Sequence, residues 1–363
     1  MSYPVWDVFQ LGGGMLVTGT SVLYSLVAQF AAGGGLFLAA ADAGLRRHRG
    51  EGARRYLRSY ARLLVISGLL AGAAVPLVRT LAWSWVLARC LSLVAVSALL
   101  LALYGWDRLE AGAHQILIRV YAVAGWLSLL VLSGADSFLL PPADGLHIPD
   151  FWERVRHPAY LPSLIMRCGA SLALAGLCGL AMAVRTRPTA LRRRLVRGSG
   201  RWVLLGFTLL PAGACWYTVA MPRTARDLLL GQALTAGGMY LLTFVLSLLI
   251  LGVVYFSLWY APQRASGALA GFLLVVGLLS TGGTEWVRQA VRRPLDAARA
   301  APAQVRGVVP FFVALILLLS LGVALWLLGK FRHVRASQAV GPALPTLDLA
   351  EMERDVDVSE AST

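Results

Sequence analysis

The chain has 363 residues, of which only 14% are charged, whereas a soluble domain carries about a quarter. This deficit and the mean hydropathy of +0.69 exclude a soluble globular domain and predict an integral membrane protein. The net charge of +15 is typical of a nucleic-acid partner, but the cations concentrate between apolar segments, which argues against that class. We expect them to orient the chain in the membrane and to contact anionic lipid headgroups.

Long apolar segments follow one another along the chain, and about 20 such residues cross a bilayer as a helix. Nine spans are predicted, near residues 12–40, 60–78, 81–105, 115–140, 161–184, 202–221, 233–260, 266–285 and 308–330. Alternate loops are rich in Arg, which places the N-terminus outside and the C-terminus inside. The predicted fold is therefore an all-α polytopic membrane helix bundle with about nine transmembrane helices, N-out and C-in.

Two regions are expected along the chain. Residues 1–335 form the transmembrane helical domain, whereas residues 336–363 lose apolar periodicity and are rich in Asp and Glu. Such a composition cannot bury a core and predicts a disordered acidic cytoplasmic tail. Nearly all cations are Arg rather than Lys, which suggests a GC-rich bacterial genome and a place in the bacterial inner membrane.

The most informative feature of the apolar segments is that none of them contains a histidine. All five lie in loops or at segment ends: His48, His114, His147, His157 and His333. The four cysteines stand singly, with no CxxCH or CxxC motif. Membrane proteins that carry electrons usually hold haem through His, Met or Cys on facing helices. No metal site and no catalytic residue is therefore predicted, and haem or quinone stays only a possible cofactor.

Charged residues inside the spans are candidates for function, because a charge at membrane depth is costly. Candidate cofactor-binding residues are Arg89, Arg119, Arg167 and Glu285. One interpretation pairs the arginines with Glu285, Asp136 or backbone carbonyls, so that they fix helix packing. The other has Arg89, Arg119 or Arg167 facing an anionic group, such as a haem propionate or a quinone oxygen.

Glycines are clustered at Gly12 to Gly14, at Gly33 to Gly35, and at Gly282 and Gly283. In lipid, glycine lets helix backbones approach closely. The clusters favour close helix packing, and the alternative is room for a flat cofactor.

The outer stretch 286–307 is rich in Arg on the side where the positive-inside rule disfavours it. Arg288, Arg292 and Arg293 occur there with one carboxylate, Asp296. Two hypotheses explain them: contact with outer-leaflet phosphates, or docking of an acidic periplasmic domain such as a c-type cytochrome. They are the candidate partner-binding residues.

Three segments together resemble a known family. They are Tyr-Gly-Trp-Asp-Arg-Leu at 104–109, the stretch 150–163 that leads into the fifth span, and Gly-Gly-Thr-Glu-Trp-Val-Arg at 282–288 with its continuation to Pro294. Their order and spacing resemble the cytochrome bd-type quinol oxidase subunit I family, above all its divergent bacterial relatives. The resemblance covers about residues 1–330 and implies the same nine-helix, N-out topology.

The chain departs from this family where the chemistry would lie. The resemblance implies that ligand and proton-path positions are held here by Tyr24, Gln29, Ala95 and Gln289. It also implies a low-spin haem histidine in the fifth helix, which has no counterpart near Met166 and Arg167. The resemblance also implies a long quinone-binding loop between the sixth and seventh helices, whereas here only residues 222–231 lie between those two spans.

Together these changes predict a haem-depleted, bd subunit I-like membrane protein that is structural and not catalytic by itself. Its partners would be membrane lipid and other respiratory-complex subunits, such as a haem-bearing homologue or a c-type cytochrome. One alternative is an active quinol-oxidising or oxygen-reducing subunit with atypical haem ligation. Another is an anion transporter that uses Arg89, Arg119 and Arg167.

Overall fold

Apolar segments become helices because a bilayer offers no partner for a free backbone N–H or C=O. A computed structural model bears this out: the residues that it describes form helices and no strand. It describes residues 13–45, 50–73, 83–136, 155–186, 189–221, 223–227, 229, 234–259, 262 and 265–297. The all-α membrane bundle that the sequence predicts is confirmed in this part of the chain.

The described ranges contain eight long helices. In chain order they are α1 Gly13–Leu45, α2 Glu51–Ala73, α3 Trp83–Tyr104, α4 Ala111–Asp136, α5 Tyr160–Ala183, α6 Thr189–Ala220, α7 Leu234–Val253 and α8 Gly267–Ala297. A five-residue helix, Arg223–Asp227, lies between α6 and α7. The last turns of α7 continue as a π-helix, Val254–Trp259.

Six of these helices are long and apolar enough to cross a membrane, namely α1, α4, α5, α6, α7 and α8. In α3 the apolar part is shorter, Cys90–Tyr104, and α2 is amphipathic, with several arginines near its start. The predicted ninth span near 308–330 and the acidic tail 336–363 lie outside the described residues.

Three predicted boundaries differ most from the structure. Helix α2 begins at Glu51 rather than near 60, α6 begins at Thr189 rather than near 202, and α8 ends at Ala297 rather than 285. In each case the helix includes an Arg-rich stretch for which the hydropathy predicts a loop. The physical reason is that Arg is a good helix former, so loss of hydrophobicity ends the apolar span without ending the helix.

Helix α1 lies at the centre of the described bundle and contacts three neighbours through consecutive glycines. A Cβ at Gly33 would lie 2.1 Å from the Ser171 carbonyl oxygen of α5, one at Gly34 would meet Leu64 of α2, and one at Gly35 would meet Tyr121 of α4. Consecutive helical residues point about 100° apart, so three glycines clear three sides. Helix packing, not a flat cofactor, occupies this space.

The α5–α6 hairpin is packed more tightly still. A Cβ at Gly206 would lie 2.3 Å from the Ala173 backbone nitrogen, and one at Gly176 would lie 2.7 Å from the Val203 nitrogen. Gly169 and Gly213 continue the same line of contact. The backbones of α5 and α6 are therefore in contact along their length. This contact fixes the positions of the α5 and α6 side chains that point toward α1 and α8.

The α3–α4 hairpin packs beside α1 and α2 and is joined by hydroxyl groups. The Ser92 and Ser128 Oγ atoms lie 2.9 Å apart, and Ser128 Oγ donates to the Ala88 carbonyl oxygen at 3.1 Å. One side of each helix stays exposed, with Leu93 and Leu101 on α3. These apolar side chains form the surface that a bilayer would cover.

Candidate functional site

Polar side chains from four helices converge in the interior of the bundle. They are Gln29 of α1, Arg167 of α5, Tyr217 of α6, and Glu285 and Arg288 of α8, which we call the buried ion cluster. None exposes more than 9% of its surface. The cluster lies toward the end of the bundle at which α1 and α5 begin and α6 and α8 end.

The Glu285 carboxylate is the centre of the cluster. Gln29 Nε2 donates a hydrogen bond to Glu285 Oε1 at 2.7 Å, and Arg288 Nη1 donates to the same oxygen at 3.0 Å. Tyr217 is hydrogen-bonded to Arg288, and Arg167 lies near enough to act on Tyr217 electrostatically. Gln29 thus links α8 to α1, and Tyr217 links α8 to α6.

Local sequence explains why these residues meet. Glu285 and Arg288 stand three residues apart on α8, so their side chains share one helix face. Gln29 lies one turn before Gly33, and Arg167 lies one turn before Ser171, where the backbones of α1 and α5 approach. Because these two helices run the same way in an alternating bundle, Gln29 and Arg167 stand at the same level.

Among the side chains that the structure describes, the cluster brings two guanidinium groups and one carboxylate into the interior. Burial of charge in a low dielectric is stabilised only when pairing and hydrogen bonds are good. Gln29 Oε1 accepts no hydrogen bond from the part of the chain that the structure describes. The arrangement is chemically suited to lock helices together.

Metal binding has no support among the described residues, because no three of their His, Cys, Asp and Glu side chains are grouped to hold an ion. The donors in the cluster are an amide, a carboxylate, a phenol and two guanidinium groups. Arg never offers a lone pair, and the Glu285 oxygen already accepts from Gln29 and Arg288.

The predicted cofactor-binding residues do not form one site. Arg167 and Glu285 both belong to the buried ion cluster, but Arg119 lies exposed on α4. Arg89 belongs to α3, and its side chain lies outside the description. Within the cluster, Glu285 pairs with an arginine of its own helix, Arg288.

The positions that the family resemblance associates with ligands have different surroundings. Gln29 enters the cluster, whereas Tyr24, on the same helix, is half-buried. Ala95 is buried within the α3 side of the bundle, with 3% of its surface exposed. Gln289 follows Arg288 on α8, and its side chain is not described.

Arg288 requires a correction, since the sequence places it with Arg292 and Arg293 in an exposed outer loop. Helix α8 runs on to Ala297, and Arg288 is buried and bonded to Glu285. A buried guanidinium cannot meet a periplasmic partner, so Arg288 is not a docking residue. Arg292 and Arg293 lie on the same helix, but their side chains are outside the description.

Tyr217 is the functional candidate that the sequence does not reveal. It stands in Trp216-Tyr217-Thr218 near the end of a span, where aromatics commonly settle at headgroup depth. Nothing in that pattern distinguishes a buried hydrogen-bonded phenol from an interfacial one. The only usable signal is the helical face that Tyr217 shares with Gly213 and Leu210.

A second feature lies at the opposite end of the bundle, where α1 ends and α4 begins. Trp106 and Asp107 of the Tyr-Gly-Trp-Asp-Arg-Leu segment line a cavity of about 270 Å³ together with Asp42 and His114. The Trp106 and His114 rings meet edge to face, with centroids 4.5 Å apart. Arg58 Nη1 bonds Asp107 Oδ2 at 3.0 Å, so this segment joins α2 to the α3–α4 turn.

No protein-family model matches the chain, and no curated protein matches it. Among solved structures, the fold is similar to a chain of the bd oxidase from Geobacillus thermodenitrificans, with a TM-score of 0.68. The match covers 88% of this chain and 98% of that one, at 13% sequence identity. At this identity the likeness concerns the fold alone, a distant bd-oxidase-like helix bundle.

Proposed function

We propose that this chain is a structural membrane subunit of a bd-oxidase-like respiratory complex and that it binds no haem of its own. The fold likeness to a bd oxidase chain over most of the length supports the class of complex. The order of the three family-like segments, found independently in the sequence, supports the same class.

One observation carries the haem-free part of the proposal. The family resemblance implies a haem ligand at one of two positions on α1, held here by Tyr24 and Gln29, and the Gln29 amide donates to Glu285 at 2.7 Å within an ion cluster. A carboxamide engaged in this way is a poor iron ligand compared with His, Met or Cys. The sequence adds that no histidine lies in the interior of a predicted span, and His114 stands in the first turn of α4, at the end of the bundle opposite the buried ion cluster.

Within such a complex, the buried ion cluster would serve as a latch between α1, α6 and α8. Its contacts are internal to the chain, and they replace the cross-linking that a bound cofactor would supply between helices. The chain would assemble with other respiratory subunits, including one that bears haem, in a bacterial inner membrane.

The test is a pyridine haemochrome assay on the purified full-length chain and on the complex isolated with its native partners. We expect haem in the complex and no stoichiometric haem in the chain alone. The haem content of the complex is the control for haem supply in the host. Stoichiometric haem in the isolated chain would overturn the proposal, and so would a complex that contains no haem.

A further inference from the structure

We draw no further inference here: the strongest candidate, the cavity at the end of the bundle where α1 ends and α4 begins, is lined by two carboxylates that already bond within the chain, Asp107 to Arg58 and Asp42 to Gln115, and nothing in the structure shows what else would occupy it.

Discussion

Arginine is accommodated differently at the two ends of this bundle. Arg288 is buried beside Glu285, whereas Arg119 is exposed on α4 near the opposite end. The buried arginine depends on a carboxylate supplied by its own helix. The exposed one is left uncovered by the residues that the structure describes. A charge buried between helices therefore indicates how the helices are held together. A charge on the lipid face indicates what lies against the bundle.

The largest effect is expected from removal of the carboxylate at the centre of the buried ion cluster. Glu285→Gln leaves the guanidinium groups of Arg288 and Arg167 in the interior without that negative charge. Loss of one member of a buried ion pair costs about 3–5 kcal/mol. Chemical unfolding of the purified chain in detergent, followed by circular dichroism, measures this loss.

The chain offers a matched exposed pair as the control. Glu51 and Arg55 form an ion pair at the start of α2, with side chains 83% and 76% exposed, and such pairs contribute about 0–1 kcal/mol. Glu51→Gln should therefore change stability little. Equal losses in the two variants would show that the buried ion cluster is not a latch.

The second effect concerns the tight backbone contact of the central helices. Gly206→Ala places a Cβ 2.3 Å from the Ala173 nitrogen, and overpacking of this kind costs about 1–3 kcal/mol. Gly271→Ala, on α8 where nothing lies within 4 Å of the new Cβ, should stabilise by up to about 1 kcal/mol through helix propensity. Opposite signs in the same unfolding assay are expected, and a loss in both variants would contradict the packing account.

The sequence predicts the bundle well because hydrophobicity and length suffice to identify spans. Helix ends are less predictable, as α6 shows, because Arg continues a helix after the apolar span has ended. The role of Gly33 to Gly35 in packing follows from composition. The contacts of Gly169 and Gly206 do not, since isolated glycines in spans give no sign of which partner they face.

Only part of the buried ion cluster can be predicted from the sequence, for a similar reason. A charge in a span is conspicuous, so Arg167 and Glu285 emerge from the sequence. Hydropathy falls after Glu285, which predicts a loop at Arg288, although α8 continues and places Arg288 inside the bundle. Tyr217 stays hidden because a tyrosine at a span end is ordinary in either environment.

A smaller effect is expected at the exposed arginine. Arg119→Gln removes no contact that the structure describes within the chain, and surface substitutions of this kind change stability by less than about 0.5 kcal/mol. In neutral detergent, the variant should therefore unfold like the wild type, in contrast to Glu285→Gln. A loss comparable with that of Glu285→Gln would mean that Arg119 supports the fold from within, which would remove the distinction between the two ends.

The smallest effect is expected at His157, just before α5 at the end of the bundle that holds the buried ion cluster. Partial burial lowers the pKa of His157 below its ordinary value of 6.5. The Ala159 backbone N–H donates to His157 Nδ1 at 3.2 Å, a bond that requires a neutral ring nitrogen. This polar group, like Glu285, finds its partner within the chain.

The sign of the pH dependence follows from this lowered pKa. Below pH 6.5 the unfolded chain takes up the proton before the folded chain does, so stability falls as the pH decreases toward the folded pKa. Above pH 6.5 both states are neutral and the contribution is constant. His157→Asn keeps an acceptor for Ala159 and cannot titrate, and all other groups are shared with the wild type. Unfolding midpoints measured from pH 7.5 to 5.5 should therefore fall slightly more for the wild type than for His157→Asn. Parallel curves would show that His157 gains and loses its proton as freely in the folded bundle as in the unfolded chain, and that the N–H contact of Ala159 does not hold it neutral.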